Sequence, residues 1–478
     1  MSIRLSAWKM SAVYTYYISV RLLRLLVQLC RAIPEPLKEE RATKYRFSRY
    51  SFLLFLKPKR RVRRQPIYHM KKFLSLLCAA VIGFSNLTHA YDFEVDGICY
   101  NILSETDRTV EVTNSGSSQN KYEGDIVIPS SVISNETTTY TVTTIGENAF
   151  NGCKSLVSVT FPESLTAIGG YAFFECDALV NVTFNEFLKI IGEEAFWGCG
   201  SLKSISFPKS LTNIGEEAFC ECTCLTSIIF QENSSLETIG KAAFMDCRSL
   251  ISVTFPESLS TLGDFAFFDC YSLESIIFPE NCLLSDIGTM TFYCCEQLTS
   301  VSFPKLLTNI GMHAFRFCSS LSSVRFPENS NISFVGYQAF QGCSSLTSVD
   351  FPESLNFIGE WAFSACFSLT LIENRSKTPQ IITENVFESR VYDNAVLKVP
   401  DGYVDAYKEA DVWKLFSKIE DNTSSGIEDV AQDEGPVTVY TLGGIVVYTG
   451  LWNERPKLPA GMYIVRNADG TSRKVAIR

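Results

Sequence analysis

Ile191-Gly192-Glu193-Glu194-Ala195-Phe196-Trp197-Gly198-Cys199-Gly200-Ser201-Leu202-Lys203-Ser204-Ile205-Ser206-Phe207-Pro208 is one copy of a phrase that recurs ten times. Ile-Gly is followed by two free positions, Ala-Phe, two more, Cys, two more, Leu, two more, Val or Ile, one more and Phe, usually with Pro behind it. The copies begin at Ile145, Ile168, Ile191, Ile214, Ile239, Leu262, Ile287, Ile310, Val335 and Ile358, 23 or 25 residues apart, and from the third copy onward the two lengths alternate. A unit this short cannot bury its own apolar face and must lean on its neighbours. The phrase predicts a β-rich solenoid over 145–372.

Each fixed position has a role in such a coil. Leu-x-x-Val-x-Phe reads as a short strand that stacks on the next coil's copy about 4.8 Å away in a parallel sheet. Leu, Val and Phe face inward, and Ala-Phe enters the core from the opposite turn. The Gly after Ile is expected to permit a tight bend, and the Pro after Phe ends the strand by withholding a donor. The two residues added in alternate coils fall at Glu232-Asn-Ser, Glu280-Asn-Cys and Glu328-Asn-Ser, where they lengthen one loop.

The flanks read differently. Residues 91–144 alternate as strands broken by Gly97, Ser115-Gly116 and Glu123-Gly124, a β cap for an end that would otherwise expose core and unpaired strand edges. After Ile372 the pattern decays: Ile382-Thr-Glu-Asn-Val-Phe387 echoes the phrase, but Arg390 replaces its cysteine. Residues 373–419 are therefore expected to hold a degenerate coil and a C-terminal cap with an amphipathic helix over Tyr403–Phe416. Residues 420–436 are polar and turn-rich, a linker, and 437–478 form a second unit of short strands.

At the other end, Met70-Lys71-Lys72, the apolar run Phe73–Phe84 and Thr88-His89-Ala90 have the three parts of a secretory signal peptide over 70–90. Residues 1–69 carry a basic run, Lys57–Arg64, and two apolar patches, neither reaching the ~18 residues of a spanning helix. They are read as an upstream extension of a protein that starts at Met70; the rival is an uncleaved anchor with a basic cytoplasmic tail.

Charge follows the same division. Residues 1–90 hold 18 Lys/Arg and three acids, which leaves 24 basic and 49 acidic residues in 91–478. A body so acidic repels phosphate backbones, so no nucleic-acid partner is expected. Histidine is scarce: His69, His89 and His313. His313 lies at a variable turn position read as solvent-facing, with no nucleophile or acid matched to it. No Gly-rich phosphate loop, His-Glu-x-x-His or Cys-x-x-Cys pair occurs. No enzyme activity, cofactor, metal or small-molecule substrate is expected.

Ten of the 17 cysteines share one repeat position, from Cys153 to Cys366. A disulfide framework would suit an exported chain. However, a uniform ladder gives each cysteine two equivalent neighbours and no preferred partner, and free Cys packs well as a small buried residue. A reduced, buried ladder is the expectation. Cys220, Cys224 and Cys294 fall outside it.

A period of 20–29 residues with Leu-x-x-Val-x-Phe in each unit marks a leucine-rich repeat. The phrase Ile-Gly-x-x-Ala-Phe-x-x-Cys-x-x-Leu-x-x-Val-x-Phe-Pro resembles the BspA-type leucine-rich repeat of bacterial surface proteins, from the cap through Phe416. Separately, Val439-Tyr-Thr-Leu-Gly-Gly444, Leu458-Pro-Ala-Gly-Met-Tyr-Ile-Val465 and Lys474-Val-Ala-Ile477 resemble a C-terminal sorting domain used by Bacteroidota for export across the outer membrane. These resemblances imply an exported or surface-attached protein, non-enzymatic, that adheres to host matrix proteins or other bacteria through a protein or glycoprotein ligand. The alternative is a structural surface-layer component acting by self-association.

Specificity must lie in positions where the copies differ. The outward sheet positions from Ser158 to Ser348 are small and, apart from Asn181, hydroxyl-bearing, as suits a flat stacked sheet. The turn positions flanking Ala-Phe vary and are rich in rings: Tyr171, Phe174, Trp197, Phe265, Phe268, Tyr293, Phe317, Tyr337 and Trp361. Stacked coils are expected to align them as an aromatic ridge interspersed with Glu193, Glu194, Glu216, Glu217 and Asp269, a composition typical of protein-binding surfaces. The bland alternative is that these rings cover the solenoid's edge and touch only one another.

Overall fold

The computed structural model describes residues 91–116, 122–134, 137–327, 329–422, 436–441, 446–451, 461–467 and 472–477; the readings placed on 1–90 and on most of the linker lie outside them. The repeats form a solenoid of parallel strands. The predicted strand is present in coil after coil: Ser204–Phe207 pairs in register with Ser227–Phe230, Ile205 opposite Ile228 and Phe207 opposite Phe230. A second parallel ladder, not anticipated, runs through the two residues that end at each coil's first position, with Asn213–Ile214 between Ile190–Ile191 and Thr238–Ile239.

The Ala-Phe turn supplies a third string of hydrogen bonds. Every second N–H points along the solenoid axis: Glu194 donates to the Glu216 carbonyl at 2.8 Å, Phe196 to Ala218 at 2.7 Å and Gly198 to Cys220 at 2.8 Å. Aligning those donors requires left-handed residues. In all ten coils the fourth and eighth positions have φ between +52° and +78°, yet only Gly152, Gly198 and Gly342 are glycine there. Each of the others costs about 1 kcal/mol, offset by hydrogen bonds that would be lost in a relaxed turn.

The glycine after Ile does not have the expected role. Its φ is not left-handed at any coil. Instead, successive coils approach so closely that a methyl group on Gly215 would lie 2.5 Å from the Gly192 carbonyl carbon, and one on Gly240 equally close to that of Gly215. Glycine is needed here for close backbone approach.

Inside the triangle of ladders lies a dry core. The Phe of Ala-Phe forms one continuous column, Phe150 to Phe387, with neighbouring ring centroids 4.9–5.6 Å apart and planes within 17°. The strand phenylalanines meet it edge-on, as Phe207 does with Phe219 at 5.5 Å and 72°. Both arrangements are favoured by the ring quadrupole. The ladder cysteines are buried thiols, and from Cys176 to Cys366 each donates to the preceding coil's Phe carbonyl: Cys222 Sγ lies 3.3 Å from the Phe196 oxygen and Cys247 Sγ 3.3 Å from that of Phe219. Burial pushes these thiols far up from the usual cysteine range, so they stay protonated donors.

Both ends are closed. Thr109–Thr113 pairs parallel with Thr138–Ile145 and Gly124–Val127 with Leu156–Thr160, so residues 93–145 extend two ladders. Tyr122 lies tilted against Phe150 at 4.7 Å, its hydroxyl donating to the Thr113 carbonyl and accepting from the Cys99 N–H. At the far end Val396–Val399 and Lys418–Asp421 add two strands, so the sheet continues past residue 420, where the linker was expected to begin. The expected helix over 403–416 is shorter: Val404–Glu409 is α-helical, Val412 turns left-handed at φ +69°, and Trp413–Leu415 form a 3-10 turn. That break brings Trp413 and Phe416 edge-on against the end of the Phe column at Phe387. Pro436–Thr441, Val446–Leu451, Gly461–Asn467 and Ser472–Ile477 build a four-stranded antiparallel sheet around Val437, Val439 and Val465.

A candidate recognition ridge on the Ala-Phe turns

The nine predicted ridge residues occupy four positions of the turn, and the structure separates them accordingly. Phe174, Trp197, Phe268 and Tyr293 are all at the seventh position, directly after the core Phe. Phe174 and Trp197 stack face to face at 4.7 Å and 10°, and Phe268 and Tyr293 at 4.9 Å and 6°. Tyr171 and Phe265, at the fourth position, lean on Phe174 and Phe268 at 5.9 Å. Phe317, at the eighth, meets Tyr293 edge-on at 5.6 Å. Tyr337, at the third, contacts His313 rather than the ridge. Trp361 makes no ring contact among the described residues and is 39% exposed.

Two residues missed in the sequence complete the ridge. Between Trp197 and Phe268 the seventh position is filled by Cys220 and Met245, so one apolar column runs from Phe174 to Tyr293. Cys220 thus lies in this column, apart from the core ladder, but is itself buried, while Cys224 two residues past Cys222 is exposed. Reading the seventh position down all ten copies, rather than selecting rings, would have found both. Among the described residues no group of three or more His, Cys, Asp or Glu is placed to hold a metal.

Exposure along the ridge is uneven. Tyr171, Phe174, Trp197, Phe265, Tyr293 and Tyr337 are half-buried and Phe317 is 36% exposed, but Phe268 is only 5% exposed. Phe268 is covered because Phe265 and Tyr293 close over it, so it supports the ridge more than it presents a surface. His313 also differs from its expected place: it is 5% exposed, packed against Tyr337, and is no solvent-side residue. Burial, assisted by the neighbouring Arg316, lowers its pKa to about 4, so it is neutral at pH 7.

The acids interleave as expected but several are engaged. Tyr171 donates to Glu194 at 3.2 Å, Lys241 pairs with Glu216 at 2.9 Å, and Arg248 pairs with Asp246 at 2.9 Å. Such exposed pairs add little stability; they order the charges beside the rings.

The sheet face offers a second concavity. Where the 23-residue coil at 239–261 lies between two 25-residue coils, the longer loops stand proud and leave an open groove of about 890 Å³. Its walls include Ile229, 55% exposed, Thr254, Glu257 and Leu283, 54% exposed. The face is therefore not uniformly hydroxyl-lined.

Comparison with known proteins agrees with this architecture. No curated protein matches the chain. Similar solved structures include a leucine-rich repeat protein from Bacteroides ovatus, 27% identical over 59% of this chain and 94% of that one, with a TM-score of 0.29. They also include a leucine rich cell surface protein from Faecalibacterium prausnitzii (21%, 70% and 95%, TM-score 0.36) and the pneumococcal vaccine antigen PcpA (20%, 69% and 97%, TM-score 0.36). A family model described as the BspA type leucine rich repeat region, in six copies, matches residues 129–236, 231–334 and 329–398. These matches run without a break across more than half of the residues, and the protein belongs to the BspA-type leucine-rich repeat family.

Proposed function

We propose that the protein is an exported, non-enzymatic recognition protein of the cell surface, which adheres to host matrix proteins or to other bacteria by gripping a protein or glycoprotein through the turn ridge. One observation carries the reading: the seventh position of successive coils forms an apolar column from Phe174 to Tyr293, in which Phe174, Trp197, Met245 and Tyr293 are half-buried and Cys220 and Phe268 lie beneath them, on a framework of left-handed residues and inter-coil hydrogen bonds. Rigid aromatic surface costs little entropy to bury, and aromatic anchors dominate protein interfaces. The acids beside the column suit a polar rim around an apolar centre. Export is supported by the signal-like segment 70–90 and the sorting-like tail 437–478.

The test compares the full chain with a Phe174→Ser/Trp197→Ser/Trp361→Ser variant against a panel of purified host matrix proteins and intact bacteria. All three rings are at least partly exposed. The reading expects at least one partner bound at micromolar affinity or tighter by the unmodified chain, and lost by a variant of unchanged circular dichroism. Equal binding by a folded variant contradicts it.

A further inference from the structure

The ridge is not electrically uniform. At the third, fourth, seventh and eighth positions, the five coils from Ile168 to Asp286 carry nine acids, among them Glu193, Glu217 and Asp264, and one cation, Lys241. The next three coils, from Ile287 to Phe357, carry no acid there and one cation, Arg316. Lys241 is neutralised by Glu216, and the nearby Lys154 and Arg248 face Asp177 and Asp246. Arg316 has no ion-pair partner among the described residues.

Arg316 is also held in place. Its guanidinium carbon lies 4.6 Å from the centroid of Phe317 and 5.9 Å from that of Tyr293, two rings that meet each other edge-on. Its Nε is buried with no hydrogen-bond partner among the described residues, as are His313 Nδ1 and, in the next coil's seventh position, Gln341 Oε1. Buried donors are almost always paired, so the orphaned Nε of this cation asks for an acceptor. His313 is neutral at pH 7 and does not compete with Arg316 for an anion.

We infer that Arg316 is the carboxylate-binding position of the ridge, and that the partner is a protein segment with an acidic side chain beyond its apolar contacts. The inference rests on the ridge reading and deepens it. A guanidinium fixed between rings keeps its fork presented, and a fork pairs with a planar carboxylate through two parallel hydrogen bonds. The acidic coils on the other side disfavour that same acid there, so charge sets the direction in which the segment lies along the ridge. Coils 2 and 8 are about 29 Å apart at ~4.8 Å per coil. An extended segment of twelve residues reaches about 40 Å and spans them.

The experiment pans a random dodecapeptide phage library on the full chain and measures enriched peptides against Arg316→Gln, Arg316→Lys and Phe174→Ser/Trp197→Ser. The expected peptides lose binding on the double ring variant and contain an Asp or Glu whose replacement by its amide weakens binding about tenfold on the unmodified chain. On Arg316→Gln that replacement should cost less than twofold, and on Arg316→Lys an intermediate factor. Equal cost on the unmodified chain and on Arg316→Gln, or ring-dependent peptides without any acid, overturns the carboxylate site and leaves the ridge standing. Peptides indifferent to the ring substitutions, or no enrichment at all, overturn both. Thermal melts confirm folding, and the Lys variant stands in if Arg316→Gln fails to fold.

Discussion

Phe196 and Trp197 are neighbours in the chain, and each belongs to a column of side chains along the solenoid. Phe196 is fully buried, and its column is Phe in every coil from Phe150 to Phe387. Trp197 is half-buried, and its column reads Asn151, Phe174, Trp197, Cys220, Met245, Phe268, Tyr293, Arg316, Gln341, Ser364. The two columns share the same backbone ladder and repeat distance. What differs is the number of packing partners. The inner ring is enclosed by strand phenylalanines and ladder cysteines that are themselves repeated, so one residue type solves every coil. The outer side chain has no such repeated enclosure: Trp197 and Tyr293 meet solvent while Cys220 and Phe268 are covered, and the chain is free to vary it. Constraint and variation are divided by a single residue step.

The largest effect expected from breaking that division is in the inner column. Phe219→Ala removes a ring stacked on two neighbours at 5.0 and 5.3 Å and should cost roughly 3–5 kcal/mol, seen as a lowered urea midpoint. The same truncation at Trp197 should cost much less, because its outer face already meets solvent. Equal losses at the two positions would show that the columns do not differ in kind.

Next comes His313, an outer-side residue that the structure buries. Its pKa is lowered to about 4 in the folded state, against about 6.5 when unfolded. The unfolded chain binds more protons between these values, so stability is full above pH 6.5 and falls as the pH drops toward 4, by roughly 2–3 kcal/mol. His313→Phe should flatten the pH 4–6.5 limb of the stability curve, measured by urea titration; an unchanged slope would place His313 in water.

A smaller effect separates the cysteines. Cys222→Ala removes one thiol donor to the Phe196 carbonyl and should cost about 1 kcal/mol. Maleimide should label the exposed Cys224 rapidly, while the ladder cysteines react only on unfolding, because burial keeps their thiols protonated. Rapid labelling of ladder cysteines in the native protein would contradict the packing.

The division also explains what could be read in advance. The coil starts, the inward Leu, Val and Phe, and the cysteine ladder were legible because each fixed position answers one packing demand repeated ten times. The two-residue ladder ending at Ile214 was not, since two residues leave no alternation to detect. The role of Gly215 was misread because a tight bend and a close backbone approach select the same residue. Around the ridge, Phe268 and His313 looked exposed because their cover comes from Tyr293 and Tyr337, one coil later and variable. Cys220 and Met245 were passed over because neither is aromatic, although both continue the column.

The most direct test of the central claim, that the outer column recognises and the rest supports, is to measure one bound partner against two variants in parallel. One removes ridge rings, Phe174→Ser/Trp197→Ser; the other removes the sheet-face groove, Ile229→Ser/Leu283→Ser, both exposed. The account predicts that the ridge variant loses at least tenfold in affinity with its melting temperature nearly unchanged, while the groove variant binds as before. Lost affinity in the groove variant with retained binding in the ridge variant would contradict it and move recognition to the sheet face.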